Sequence, residues 1–115
     1  MEWIRKNIVQ YFGGKAKISL DIANIINKYT SDKAYIERFC GACSILQHIK
    51  APLIYAYDIH KPLISMWKEL QNGWIPPQTI SEEEYQNAKK LSDDNPLKAF
   101  IGFACSFGGK YFGGY

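Results

Sequence analysis

The sequence predicts an α/β fold in which helices alternate with parallel strands, and three observations support this prediction. Residues 18–72 alternate between apolar residues at helical spacing and short runs rich in aromatic and β-branched side chains. Residues 53–57 are apolar almost throughout, as in a parallel strand covered on both faces. Residues 73–115 contain two helix patterns, a loop and an irregular tail, and no strand pattern. We therefore expect a partial parallel sheet within residues 1–72 and a helical region over residues 73–115.

The first half of the chain supplies a helix, a strand and a second helix. Residues 18–29 predict an amphipathic helix, because apolar residues recur there at helical spacing. Residues 34–39 predict a short strand rich in aromatic and branched side chains. After Gly41, residues 42–50 predict a short helix with its apolar side chains on one face.

The second strand and the later helices follow a turn at Pro52. Residues 53–57 form that strand, and Pro62 suits the first turn of the next helix, which extends to about residue 72. Residues 81–84 (Ser-Glu-Glu-Glu) are a capping box that predicts a helix to about Leu91. A further helix begins at Asn95-Pro96, and residues 106–115 predict no regular element.

Composition restricts the class of protein. A chain of 115 residues with 47% hydrophobic residues is one domain's worth and is not disordered throughout. The net charge of +3 permits a nucleic-acid partner without requiring one. The sequence has no apolar run of about 20 residues and no secretory signal, which predicts no membrane partner. Three cysteines, an odd number, favour reduced thiols in a cytoplasm, that of a host cell if the protein is viral.

The candidate site is the turn after the first strand. Gly41 lets a ligand approach the backbone closely, and a helix after it would direct free N–H groups toward an anion. Asp58 ends the second strand, where an acid in such sheets accepts hydrogen bonds from ribose hydroxyls. The alternatives are a turn without a ligand, and Asp58 as the N-cap of the next helix. Together the two residues favour an adenosine-containing cofactor, and S-adenosylmethionine over a dinucleotide, because the full glycine fingerprint is absent.

Three other motifs have two interpretations each. Lys15, after the glycines of residues 11–14, can pair with a cofactor carboxylate or lie in solvent. Cys40 and Cys43 have the spacing of a redox pair, or are simply two packed thiols. The tail around Lys110 can contact a nucleic-acid backbone, or be a floppy chain end.

Four segments together resemble the D12 class of Dam-like adenine-specific DNA methyltransferases, the tail being similar to phage-type members. They are residues 11–15 (Tyr-Phe-Gly-Gly-Lys), 36–44 (Ile-Glu-Arg-Phe-Cys-Gly-Ala-Cys-Ser), 57–64 (Tyr-Asp-Ile-His-Lys-Pro-Leu-Ile) and 105–115. The resemblance implies a Rossmann-like fold, S-adenosylmethionine as methyl donor, no metal, and double-stranded DNA as substrate. It also suggests a role in restriction-modification.

The resemblance assigns roles to individual residues. Tyr11 matches the aromatic residue beside the cofactor, and Lys15 matches the basic cofactor contact. Phe39 and Gly41 fall in the cofactor loop, and Asp58 matches the acid that holds the ribose. A separate prediction does not depend on the resemblance. If the C-terminal tail contacts nucleic acid, Lys110 is the residue that contacts a phosphate and Tyr111 the aromatic residue that contacts bases.

The sequence departs from the family's pattern in two ways. Arg38 stands where the family usually has proline, and Cys43 where it often has a second glycine. Nothing in the chain matches the Asp-Pro-Pro-Tyr motif that holds the flipped adenine, so no catalytic residue is assigned. We therefore expect a truncated enzyme, or one whose C-terminal half is a separate chain. The alternatives are a thiol–disulfide oxidoreductase using Cys40 and Cys43, and a module that binds cofactor or DNA without turnover.

Overall fold

The computed structural model describes Lys15 and residues 17–115. These residues form two compact units, one extending to Ile59 and the other comprising His60–Tyr115. The sequence predicted that the cofactor-binding part ends at residue 72 and that a target-recognition region begins at residue 73. This division by function stays a prediction.

The first unit contains one helix and a two-stranded parallel sheet. Helix α1 is Ser19–Asn27, strand β1 is Tyr35–Glu37 and strand β2 is Ile54–Ala56. Tyr35 pairs with Ile54 and Glu37 with Ala56. This confirms the predicted helix and both strands, each shorter than the sequence pattern suggested.

A small core holds this unit together. Ala23 of α1 packs with Ile45 and Ile49 from the segment between the strands, and Ile22 and Ile26 lie against them. The side chain of Asn27 fastens the same segment, since its amide donates to the His48 carbonyl and its oxygen accepts from the Lys50 N–H. These contacts set the position of the loop that joins β1 to β2.

The predicted helix over residues 42–50 is wrong. Only Leu46–His48 form a single 3₁₀ turn. Gly41 and Cys43 have φ of 50° and 59°, which a right-handed α-helix does not allow, so regular helix cannot begin there. The apolar residues behind that prediction, Ile45 and Ile49, are nevertheless buried. The helical spacing of the apolar residues therefore predicted correctly which side chains are buried, but it predicted the wrong backbone conformation.

The expectation that β2 is covered on both faces is also wrong. Tyr55 is 46% exposed and Ala56 is exposed. On β1, Ile36 is exposed whereas Glu37 is buried, the alternation of a strand with one covered face. Among the described residues the sheet has two strands, and the core of Ala23, Ile45 and Ile49 covers one side of it.

The second unit begins with helix α2, Lys61–Gln71. His60 is its N-cap, with Nδ1 accepting from the Leu63 N–H at 3.2 Å, and Pro62 lies in the first turn. The interpretation of Asp58 as the N-cap is therefore wrong. The helix buries one apolar face: Pro62, Leu63, Met66, Trp67 and Leu70.

Two further helices complete the second unit. Helix α3 is Glu82–Ala88, and the predicted capping box is confirmed, with the Ser81 hydroxyl accepting from the Glu84 N–H. Helix α4 is Pro96–Ala104, capped by Asn95. Tyr85, Ala88 and Ile101 form the core between them. None of the helices in the described part of the chain is long and apolar enough to cross a membrane.

The C-terminal tail is held by hydrogen bonds rather than floppy. Phe107–Gly109 form a 3₁₀ turn, and the Phe107 N–H donates to the Gly114 carbonyl at 2.8 Å. The buried Tyr85 hydroxyl lies 2.8 Å from the Ser106 hydroxyl and accepts from the Gly114 N–H. One tyrosine thus ties both ends of the tail to α3.

Candidate functional site

The backbone beyond β1 and β2 continues the pairing of the strands. The Tyr57 N–H donates to the Glu37 carbonyl at 2.7 Å, and the Cys40 N–H donates to the Tyr57 carbonyl at 2.9 Å. The Cys43 N–H then donates to the Cys40 carbonyl at 2.7 Å, which closes a β-turn over residues 40–43. We call residues 40–43 the strand-end turn.

Asp58 and Gly41 meet at this turn, as the sequence predicted. The Gly41 N–H donates to Asp58 Oδ2 at 3.0 Å. Gly41 is buried with φ of 50°, a conformation that glycine adopts without the strain of a side chain. The carboxylate of Asp58 therefore holds the strand-end turn through this hydrogen bond.

An open cavity of about 500 Å³ lies beside Asp58. Its lining is mostly apolar, and Phe39 is 76% exposed and Ile59 is 98% exposed. The lining residues are Ile36, Arg38, Phe39, Tyr57, Asp58 and Ile59. This volume is within the usual range for small-molecule sites, and apolar walls around one carboxylate are typical of them.

Glu37 is a feature of the site to which the sequence assigned no role. It is the last residue of β1, and its side chain is only 8% exposed. Its Oε2 atom is buried and has no hydrogen-bond partner among the residues that the structure describes. Burial raises the pKa of this carboxyl to about 7, while the positive charge of Lys15 acts in the opposite direction. A signal was present in the sequence, since an acid inside a strand of apolar and aromatic residues is unusual.

Lys15 is exposed, and its charge acts on Glu37. Lys15 therefore lies near enough to Glu37 for their charges to interact. Tyr11, the predicted aromatic neighbour of the cofactor, lies outside the described residues. Arg38 is exposed beside the cavity, so the replacement of the family's proline adds a solvent-facing cation there.

The two thiols of the strand-end turn are free and buried, at 5% and 1% exposure. A hydrogen bond from Cys43 lowers the pKa of the Cys40 thiol, and the same bond with burial raises the pKa of Cys43 strongly. No α-helix follows the turn, so the helix N-terminus expected there is absent and contributes no positive dipole end. Redox thiols need access to a partner, and these side chains are packed inside the turn.

The two residues predicted to contact nucleic acid, Lys110 and Tyr111, have different surroundings in the second unit. Lys110 is exposed, as a phosphate contact requires. The ring of Tyr111 instead packs against His60 and Phe103, with centroids 4.5 and 4.7 Å away. The buried hydroxyl of Tyr111 has no hydrogen-bond partner in the described part of the chain, and burial raises the pKa of Tyr111. In this structure the ring of Tyr111 is thus a packing residue, and its contact with bases stays a prediction.

The arrangement of the strand-end turn defines a class of protein. A glycine turn held by an acid from the neighbouring parallel strand, at the carboxyl ends of both, is typical of α/β proteins that bind nucleosides or nucleotides. The family profile of the D12 class N6 adenine-specific DNA methyltransferases matches residues 11–103. The chain therefore belongs to this family, whose members methylate adenine in DNA. No solved structure gives a significant match to it.

The comparison confirms the family recognised from the sequence motifs. It supports a methyltransferase with DNA as substrate, and such enzymes typically use S-adenosylmethionine. It does not favour the oxidoreductase alternative. In the described part of the chain, no three His, Cys, Asp or Glu side chains are grouped so as to hold a metal ion.

Proposed function

We propose that this chain binds S-adenosylmethionine at the strand-end turn, within a Rossmann-like domain, for methylation of the exocyclic amino group of adenine in double-stranded DNA. The observation that carries the proposal is the 3.0 Å hydrogen bond between Gly41 and Asp58, which places an acid at the turn where such folds bind the ribose. The open cavity beside it is large enough for an adenosine group.

Each residue has a binding role in this proposal. Asp58 accepts hydrogen bonds from the ribose hydroxyls, and the exposed ring of Phe39 packs against the adenine. Lys15 pairs with the carboxylate of the amino-acid end, and the family motif assigns to Tyr11 the role of the aromatic residue beside the cofactor. These residues bind and orient the cofactor, which supplies the methyl group when bound.

The sequence holds no Asp-Pro-Pro-Tyr motif. We therefore assign cofactor binding to this chain, and we assign no residue of it to the positioning of the flipped adenine. In the complete reaction the adenine nitrogen forms a bond to the methyl carbon, the carbon–sulfur bond breaks, and the nitrogen loses a proton. Positioning of the two reactants supplies most of the rate enhancement that residues of this kind provide.

Calorimetry tests the cofactor assignment. S-adenosylmethionine should bind the wild-type chain, and Asp58→Ala should weaken binding at least tenfold, because hydrogen bonds to a charged group contribute about 1.5–3 kcal/mol each. Asp32→Ala, which removes an exposed acid of the same unit, should bind normally, as should Cys43→Ser.

Absence of binding by the wild-type chain, or equal affinity after Asp58→Ala, contradicts the assignment. Asp58→Asn serves as a second variant, since its amide oxygen can still accept from Gly41 and keep the turn. Circular dichroism of each variant separates a lost ligand contact from a lost fold.

The DNA partner needs its own experiment. We propose that the exposed Lys110 contacts a phosphate, so Lys110→Ala should weaken binding of any duplex and reduce the dependence of log K on log salt by about one. Lys89→Ala removes another exposed cation of the same unit and serves as the control. Methyl transfer to duplex DNA, with a C-terminal half of the family supplied in trans, distinguishes an enzyme from a module that only binds.

A further inference from the structure

A groove in the second unit has no role in the proposed function. It has a volume of about 460 Å³, and α3, α4 and the segment that precedes α3 line it. Its lining is mostly apolar and includes Trp74, Ile80, Leu91 and Leu97, each of which is only partly buried. A contiguous apolar surface of this kind marks a place where another molecule binds.

Ile75 gives the rim of this groove a projecting apolar side chain. It belongs to the lining and is nevertheless 84% exposed. The surface thus has a recess and a projection side by side. A surface with both features is suited to a second copy of itself, because in a contact about a two-fold axis the projection of each copy meets the recess of the other.

The charges beside the groove fit the same symmetry. Glu83, Asn87 and Lys90 lie four and three residues apart, so they share one side of α3 and of the turn that continues it. In that turn the Lys90 N–H donates to the Asn87 carbonyl at 3.1 Å. All three side chains are exposed, and Asn87 also lines the groove. One end of this side is therefore acidic, the other end is basic, and a neutral amide lies between them.

We propose that two copies of this chain associate through this groove, with their α3 helices antiparallel about a two-fold axis near Asn87. Glu83 of each copy then lies opposite Lys90 of the other, and Ile75 of each copy enters the groove of the other. A parallel arrangement would instead place acid opposite acid. Apolar contact supplies most of the affinity and the two charge pairs fix the orientation, since exposed ion pairs contribute little by themselves.

A second copy fits this surface better than nucleic acid does. The first turn of α3 carries three exposed acids, Glu82, Glu83 and Glu84, and Glu84 lines the groove. These acids would repel a phosphate backbone. None of the residues in the proposed contact belongs to the proposed cofactor or DNA contacts, so the dimer and the proposed function are independent of each other.

Sedimentation velocity of the full chain over a range of concentrations measures the dissociation constant of the dimer. Glu83→Lys and Lys90→Glu should each weaken dimerisation roughly fivefold or more, because two attractive pairs become repulsive. An equimolar mixture of these two variants should restore the dimer, since every pair in the mixed dimer again joins opposite charges. The double variant Glu83→Lys, Lys90→Glu should restore it for the same reason. Ile75→Asp should also weaken dimerisation, because it places a charge in the apolar groove.

Glu82→Lys is the matched control. It makes the same change of charge at the neighbouring position, on the opposite side of α3, and should dimerise as the wild type does. Circular dichroism shows whether each variant is folded. If one single variant is not, the charge-swapped double variant and Ile75→Asp still test the contact.

Three results overturn the inference. A wild-type chain that stays monomeric at every concentration removes the dimer. Association that is equal in wild type and in every variant places the contact elsewhere, for example on the open sheet of the first unit. Equal weakening by Glu82→Lys and Glu83→Lys, or a mixture that fails to restore the dimer, shows that net charge rather than pairing controls association.

Discussion

Replacement of Glu37 by glutamine should make the fold less sensitive to pH and more stable near neutrality. The carboxyl is 8% exposed, and its pKa is raised from 4.5 to about 7 by burial. Because the folded state binds this proton more tightly than the unfolded chain, the group favours folding fully below about pH 4.5. That contribution disappears as the pH rises through 7. Glutamine has nearly the same shape and does not ionise, so it avoids the cost of a buried charge.

The size of the effect follows from the shift in pKa. One pKa unit corresponds to about 1.4 kcal/mol. The shift from 4.5 to about 7 therefore means that ionisation of the buried carboxyl lowers the free energy of unfolding by about 3 kcal/mol above pH 7. Relative to wild type, Glu37→Gln should therefore gain about 2–3 kcal/mol of stability between about pH 5 and about pH 8. In a domain of this size that gain corresponds to a rise in Tm on the order of 10 °C.

Thermal melts followed by far-ultraviolet circular dichroism at a series of pH values would measure this difference. Glu83→Gln is the matched control, since it removes an exposed acid and should follow the wild-type profile. If wild type and Glu37→Gln show parallel stability profiles from about pH 5 to about pH 8, Glu37 is not a buried acid of raised pKa, and the reasoning fails.

Further predictions concern the second unit and the open sheet face. Tyr85→Phe should cost about 1–3 kcal/mol in urea unfolding, because the Gly114 N–H loses its buried acceptor, and an unchanged midpoint would contradict this. Gly102→Ala should destabilise by about 1–3 kcal/mol, since its Cβ would collide with the Tyr111 ring; a Tm equal to wild type would refute the packing. Ser81→Ala should cost about 1 kcal/mol and reduce helix content, through loss of the cap. The exposed face and edge of the two-stranded sheet should make the chain self-associate, so concentration-independent monomers in sedimentation would count against it.

Several elements could be predicted from the sequence because their causes are local. The capping box at Ser81 and the proline in the first turn of α2 depend on side chains within a few residues of one another, and both are present as expected. The pairing of Gly41 with Asp58 could also be anticipated, because parallel strands bring their carboxyl ends to one edge of a sheet.

Other features could not be predicted, because they depend on neighbours distant in sequence. Residues 42–50 have helical spacing, yet the turn that the carboxylate of Asp58 holds requires positive φ at Gly41 and Cys43, which prevents helix there. The sequence suggested that the ring of Tyr111 is a surface contact in a glycine-rich tail, whereas in the structure it packs against Phe103 and His60. Burial of a side chain is a property of everything that packs around it, so local sequence does not specify it.

The sequence by itself determined the family, the order of the elements and the residues at the strand ends, since motifs and spacing are written in the chain. Tertiary structure decided which of those groups became unusual. The sequence shows Glu37 only as an acid among apolar and aromatic residues, whereas the packing of its strand removes it from water and raises its pKa to about 7. Desolvation depends on the three-dimensional surroundings of a group, and so the most distinctive chemical property of the site emerges only when the chain is folded.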